Sequence, residues 1–286
     1  MINVLVIGYG VMTSGVIKRV VKNKKFNVTI LSRHVSQDSD IRVIRKVSEL
    51  EDVENVDIIL TCFKNISESK KFFLSLINTK TLLCKPIFLD MSTSKISYVK
   101  YLKAIIEKEL GDFVECPVTG SKLGSLNGDL SLFIHHSLEG EKKKKLFNLF
   151  NCISKKQYFF EEDTAPTKFK LLYNTWGAAI LYTLKLFNPT SYDFSKKDES
   201  VALEIVKRDG WMSLVCSSKL DQINNKNFDD VHFKLEYMVK DLNYALEEVF
   251  YNNETKMIQY LIGKYCDFDE KYMEYDFSII GKGDKL

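Results

Sequence analysis

A chain of 286 residues with 45% apolar residues can bury one large core or two ordinary ones, which excludes a disordered segment. A formal charge of +3 is small for that length, and no basic face interleaved with aromatics stands out, so nucleic-acid binding is not expected. The cysteines at 62, 84, 116, 152, 216 and 266 form no CxxC pair. That spacing predicts neither a zinc site nor a disulfide framework, and scattered thiols fit a reducing compartment. The opening apolar run has no basic region before it and stops at Gly8. It is too short for a signal core or a membrane span, so a soluble cytoplasmic protein with no membrane partner is expected.

In chain order, Ile2 to Ile7 reads as a buried parallel strand ending at Gly8-Tyr9-Gly10. Val11 to Lys24 has helical spacing, and Val28 to Leu31 is a second strand ending at Ser32-Arg33. Alternation continues with a strand over Asp57 to Phe63 and a helix over Ser67 to Ile77. A strand at Ile87 to Met91 precedes a helix from Ser94, a plausible N-cap, to Leu110. Phe113 to Cys116 and Leu130 to Ile134 are further strands. The lysines from Lys142 to Lys145 precede Leu146, Phe147, Leu149 and Phe150, and read as the solvated start of an amphipathic helix rather than a phosphate-binding patch. Strands alternating with helices predict an α/β fold, a doubly wound parallel Rossmann sheet, over residues 1–163.

The pattern changes near Thr164. Lys168 to Phe187 is helical in period and apolar almost all round, which predicts a helix buried on every side at the centre of an all-α domain spanning 164–286. Asn188-Pro189-Thr190 ends it. Ser200 to Arg208, Phe233 to Tyr251 and Lys256 to Cys266 are further helices, and the polar tail after Asp267 is expected to fray.

Gly8-Tyr9-Gly10-Val11-Met12-Thr13 is a glycine turn between a first strand and a helix. Glycines there let the chain turn tightly and let backbone amides approach a pyrophosphate, with the helix N-terminus facing the anion. The third glycine, which serves close helix–strand packing, is replaced by Thr13, and Gly15 follows two residues on. An NAD site wants a carboxylate at the end of the second strand to accept from the ribose 2′-OH. Here Ser32 and Arg33 stand there, with no carboxylate before Asp38. An arginine would pair with a 2′-phosphate, which favours NADP over NAD; the alternative is that Arg33 stacks on adenine or faces solvent. Cys62 and Phe63 end a strand at the sheet edge where a dinucleotide lies, and Cys62 reads as a small lining residue. His135 and His136 lack a third ligand in sequence and read as structural or surface residues, so no metal is expected. HExxH, GxSxG and GKS/T motifs are missing, which disfavours zinc proteases, serine hydrolases and P-loop kinases.

Several landmarks, in order, resemble the β-hydroxyacid dehydrogenase family, which includes 3-hydroxyisobutyrate dehydrogenase and glyoxylate or succinic semialdehyde reductases. Gly8 to Met12 resembles its GxGxMG turn, and Asp90-Met91-Ser92-Thr93 its D-x-S-T segment near the nicotinamide. The run from Glu115 to Lys122 resembles its substrate-binding E-A-P-V-S-G-S-K stretch. Lys170 and Asn174 match its K-x-x-x-N pair, and Lys240-Asp241-Leu242 its late K-D-L segment. The chain departs from the family at Thr119, where serine is usual, and at Thr164 and Pro166, where glycines are usual. Residues 188–230 show no family pattern.

The resemblance implies hydride transfer between a nicotinamide and a small, carboxylate-bearing carbonyl or hydroxy acid. Lys170 would donate or accept the proton, its pKa lowered by Phe169, Leu171 and Trp176, and Asn174 would orient it or the substrate. Thr119, Gly120 and Ser121 would hold the substrate carboxylate. Gly8, Tyr9, Gly10, Val11, Met12, Ser32, Arg33, Cys62, Phe63, Thr93 and Lys240 would meet the cofactor. From the helix alone, Lys170 could instead pair with a carboxylate or snorkel to solvent. Competing functions are a reductase of an imine or larger carbonyl compound on the same fold, and a catalytically silent cofactor-binding protein. A homodimer is expected, because the apolar helix needs cover.

Overall fold

The computed structural model describes residues 1–33, 35, 41–52, 55–79, 85–120, 122–251 and 254–282. The chain divides into two compact units, Met1–Lys170 and Leu171–Leu286. The division falls inside a long helix, whereas the boundary expected at 163/164 lies just ahead of it.

The first unit is built on strands β1 (Ile2–Ile7), β2 (Phe26–Leu31), β3 (Arg42–Ile44), β4 (Ile58–Thr61), β5 (Ile87–Asp90) and β6 (Asp112–Glu115). They form one parallel sheet in the order β3-β2-β1-β4-β5-β6. This is the order of a doubly wound dinucleotide-binding sheet. Its strands are continuous apolar runs because both faces are covered. Val4 and Val6 join the core under helices α1 (Val11–Val21) and α5 (Gly140–Ile153). Leu5 and Ile7 point the other way, into the core under α2 (Ile66–Thr79) and α3 (Ile96–Glu109).

A second, three-stranded sheet of β7 (Val118–Thr119), β8 (Leu130–Ile134) and β9 (Ser154–Phe159) adds to this unit, with β7 antiparallel and β9 parallel to β8. Short β3 and β7 and the largely exposed β9 escaped the sequence reading. So did α4 (Lys122–Asn127), a single short helix after the substrate stretch. The cap before α3 is Lys95, not Ser94, and it makes no side-chain capping bond.

The second unit is helical, as expected. It holds most of α6 (Ala165–Leu186), then α7 (Lys196–Arg208), α8 (Ser213–Asn224), α9 (Leu235–Glu248) and α10 (Glu254–Cys266). Ala178, Leu181, Met238, Leu242, Leu261 and Tyr265 form its centre. The buried Tyr265 hydroxyl donates to the Ala178 carbonyl at 2.9 Å, and burial pushes its pKa up. Two expectations fail here. The tail does not fray within the described residues: the turn Phe277–Lys282 buries Ser278, Ile279 and Ile280. The buried Asp276 holds that turn by accepting from the His232, Phe233 and Ser278 amides. Nor is α6 buried all round, since Tyr173, Trp176, Ile180 and Leu186 are exposed. The apolar period was read correctly, but one chain supplies cover for only one side.

Candidate active site

The carboxyl ends of the parallel strands carry the candidate cofactor residues of the first unit. Gly8 follows β1 at φ +84°, a left-handed conformation that disfavours any residue with a Cβ. Gly10 starts α1, and its N–H donates to the Thr13 hydroxyl at 2.8 Å. Thr13, at the third glycine position of the motif, thus closes the first turn from inside. Close packing falls to Gly15 instead. A Cβ there would lie 2.0 Å from Ser125 Oγ and 2.9 Å from the Leu126 amide nitrogen, so α4 can rest on α1 only because residue 15 has no side chain.

These residues fit a dinucleotide. The first turn of α1 carries no acidic side chain, and an added Cβ at Gly8 would meet nothing within 4 Å. The turn therefore opens onto free space beside a helix N-terminus, which suits a pyrophosphate. Tyr9 and Val11 are exposed and Met12 is half-buried.

At the end of β2, Ser32 is buried and its carbonyl accepts from Arg45 Nη1 at 2.7 Å. Arg33 is exposed. Arg45 was not singled out in sequence because it follows the unrecognised β3, yet it places a second guanidinium beside the Ser32-Arg33 corner. His34 and residues 36–40 lie outside the described residues.

The ends of β4 and β5 are tied by one buried carboxylate. Asp90 Oδ1 accepts from the Thr61 hydroxyl at 2.9 Å and the Ser92 hydroxyl at 2.6 Å. Ser92 Oγ in turn accepts from the Phe63 amide at 2.8 Å. The D-x-S-T segment therefore has a structural role: it shapes the edge that presents Cys62, Phe63 and the half-buried Thr93. Cys62 Sγ donates weakly to the Met91 carbonyl at 3.7 Å.

Thr119 lies on β7, paired with Ser131 of β8, and Gly120 follows it. Ser121 lies outside the described residues. Lys122 is exposed at the start of α4. Lys170, 6% exposed, is at the end of the first unit on α6. The start of that helix is held by Glu115, which accepts from the Thr164 and Thr167 amides at 2.9 and 2.8 Å. Burial raises the Glu115 pKa, partly offset by those bonds. Beside this junction lies a cleft of about 370 Å³. There His135 Nε2 and Lys103 Nζ both contact Asp163, at 2.7 and 2.5 Å, which gives His135 a structural role. Among the described residues no group of three His, Cys, Asp or Glu is placed to hold a metal ion.

In the second unit Asn174 is buried, and its Nδ2 donates to Asp241 Oδ2 at 2.6 Å. Lys240 Nζ lies 2.9 Å from Asp241 Oδ1. The structure therefore joins Asn174 and Lys240 through Asp241, a 1% exposed carboxylate to which the sequence reading assigned no role. The K-D-L segment contained it, but spacing alone did not reveal that the aspartate reaches α6. Trp176, expected to desolvate Lys170, is 63% exposed.

Residues 3–160 match the family described as the NAD binding domain of 6-phosphogluconate dehydrogenase. The chain belongs to that family. The chain is similar to the following relatives and solved structures. Cytokine-like nuclear factor N-PAC of Mus musculus is 25% identical over 244 residues, covering 84% of this chain and 43% of that protein. The chain thus spans less than half the length of the curated relatives it matches. Among solved structures, 3-hydroxyisobutyrate dehydrogenase of Mycobacterium tuberculosis has a TM-score of 0.79 at 15% identity, covering 99% of this chain and 98% of that one. Psf3, in complex with NADP+ and 2-OPP, has a TM-score of 0.78 at 17% identity, covering 98% and 99%. An imine reductase of Myxococcus stipitatus in complex with NADP+ has a TM-score of 0.58 at 12% identity, covering 98% and 99%. The resemblance to β-hydroxyacid dehydrogenases read from the motifs, and the fold it implied, are borne out. No helix among the described residues is long and apolar enough to cross a membrane.

Proposed function

We propose that the chain is an NADP(H)-dependent oxidoreductase that moves hydride between the nicotinamide and a small carbonyl or hydroxy acid. One observation carries this reading. Lys170 and Asn174 are both buried one turn apart on α6, in a chain whose glycine turn and strand ends form a dinucleotide edge. A buried lysine one turn from a buried amide on an apolar helix suits a proton relay.

When bound, the nicotinamide supplies hydride chemistry. The protein does the rest. Gly8, Tyr9, Gly10, Val11 and Met12 would receive the pyrophosphate, and Cys62, Phe63 and Thr93 would line the path to the nicotinamide. Ser32 and Arg33 would bind the 2′-phosphate, with Arg45 as a second cation at the same corner. The neighbours solved with NADP+ support that form of the cofactor. Thr119, Gly120 and Ser121 would hold a substrate carboxylate. Lys170 would donate a proton to the oxygen of a carbonyl being reduced, or take it from a hydroxyl being oxidised. Asn174, fixed by Asp241, would orient the reacting group, and Lys240 would approach the cofactor.

The first unit would serve the cofactor, and the second the substrate and self-association. In the second unit α7 has no buried residue, and Trp176, Phe187, Ile205 and Trp211 are exposed. That surface supports a homodimer. The five free cysteines among the described residues suit a cytoplasmic location. A second reading, reduction of an imine or larger carbonyl, is favoured by the fold shared with an imine reductase.

The test combines binding and turnover. NADPH should raise the thermal midpoint more than NADH, and NADPH should be oxidised with glyoxylate or succinic semialdehyde. Lys170→Ala should lose turnover by about 10²–10⁴-fold while still binding NADPH. A Lys170→Ala protein with wild-type turnover refutes the mechanism. Turnover with cyclic imines but not aldehyde acids selects the second reading.

A further inference from the structure

The first turn of a helix leaves backbone N–H groups with no partner inside the helix. In α6 every such donor up to Thr167 is accounted for. Thr164, just ahead of the helix, donates to Glu115 Oε2 at 2.9 Å, and Thr167 donates to Glu115 Oε1 at 2.8 Å. Between them Ala165 donates to the Glu162 carbonyl at 3.2 Å, and Pro166 has no N–H. Threonine in the capping position usually supplies its own hydroxyl to this task. Thr164 instead sits at φ +67°, where a β-branched residue is strained. The cap comes from a residue 49 positions earlier.

Glu115 is well placed to impose a position. It ends β6, is 4% exposed, and exchanges backbone hydrogen bonds with His135 at 3.1 and 2.9 Å. It is also in register with Asp90 of β5, the carboxylate that shapes the neighbouring strand ends. A single bond to a helix end lets the helix rotate about it. A carboxylate holding amides three residues apart with its two oxygens fixes both rotation and height. The anion also complements the helix dipole at that end. A local hydroxyl cap would satisfy the donors with no buried charge. What a distant buried carboxylate adds is a fixed relation between the start of α6, up to Lys170, and the sheet edge.

We infer that Glu115 is the positioning residue of the Lys170 helix, setting the register in which Lys170, one turn beyond Thr167, is presented to the substrate. This rests on the reading of Lys170 as the proton carrier.

The test uses the full chain and Glu115→Gln, which keeps the size and one acceptor but loses the second. Hydrogen exchange over residues 164–170 should quicken by about tenfold or more, with the α1 amides unchanged. Acetylation of Lys170 by acetic anhydride should quicken by about threefold or more, because the helix start is released. With NADPH and succinic semialdehyde as probes, kcat should fall by about 10–100-fold, the KM for NADPH should stay within about twofold, and Glu115→Asp should recover part of the loss. Unchanged exchange and acetylation in folded Glu115→Gln overturn the inference whatever the substrate. Full turnover in Glu115→Gln beside an inactive Lys170→Ala overturns the inference alone. An active Lys170→Ala overturns the Lys170 reading and the inference with it. If Glu115→Gln does not fold, Glu115→Asp carries the same readouts with smaller shifts in the same direction, and no shift overturns the proposal.

Discussion

Gly15→Ala places one methyl group at the tightest contact of the dinucleotide unit. The new Cβ would lie 2.0 Å from Ser125 Oγ, 2.8 Å from Ser125 Cβ and 2.9 Å from the Leu126 nitrogen. The hydroxyl can rotate away, at the loss of its bond to the Lys122 carbonyl. The other two atoms belong to the frame of α4, so that helix must move. Overpacking of this kind costs about 1–3 kcal/mol. Alanine regains about 1 kcal/mol over glycine inside a helix. The net loss should be up to about 2 kcal/mol, or a Tm lower by up to roughly 8 °C for a unit of this size. Ser125→Ala in the same chain should recover little, because it leaves Cβ and the Leu126 nitrogen in place. Gly263→Ala is the control, since no atom lies within 4 Å of a Cβ there. It should gain up to about 1 kcal/mol from propensity alone. Scanning calorimetry of the variants decides between them. A Gly15→Ala protein that gains as much stability as Gly263→Ala would refute the claim that residue 15 sets the approach of α1 and α4. Full recovery by Ser125→Ala would show that only the hydroxyl clashes.

Other outcomes follow from the same structure. Arg33→Ala should weaken NADPH by about 10–100-fold, the worth of one charged hydrogen bond to phosphate, and change NADH by less than about twofold; equal losses remove the NADP preference. Lys103 holds the Asp163 carboxyl below its usual range. The stability it adds is present above the ordinary aspartate pKa and is lost as pH falls through the lowered value. Asp163 is half-exposed, so wild type should exceed Asp163→Asn by no more than about 1 kcal/mol at pH 7. That gap should hold down to about pH 5 and close in stronger acid, and a gap that widens steadily towards acid refutes the sign. Trp176→Glu should convert a dimer to a monomer by light scattering; a wild type that is already monomeric refutes the homodimer.

The parallel sheet was legible because its strands are buried on both faces and so read as unbroken apolar runs. β9 has five of its six residues exposed or half-exposed, Lys155, Lys156 and Gln157 among them, so no apolar period marks it. α8 was missed for a related reason: its apolar residues do not segregate to one side, and Ser213, Ser217 and Ser218 interrupt them. At the site, Lys170 and Asn174 could be found because a polar pair on an apolar helix stands out. Glu115, Asp90 and Asp241 could be read only as letters of family segments. Their roles are bonds to residues 29 to 67 positions away, and no local pattern encodes such a bond.

The departures from the family pattern bear directly on whether the site is intact. Each exchanges one way of building a feature for another. Thr13 gives up a glycine and closes the first turn of α1 with its hydroxyl, while Gly15 takes over the close approach to α4. Thr164 keeps the positive φ that a glycine would have supplied, at +67°, and a buried carboxylate holds it there. Pro166 has no N–H, so that position of the first turn needs no acceptor. Decay after loss of function predicts substitutions that loosen a turn or leave donors orphaned. Here the Thr13 hydroxyl closes the turn before α1 and Glu115 takes the backbone amides of Thr164 and Thr167, although the Thr167 hydroxyl is left without a partner, and both turns flank the groups proposed to meet the cofactor and the substrate. That pairing of change with compensation is what continued selection on the position of Lys170 and the glycine turn would leave behind.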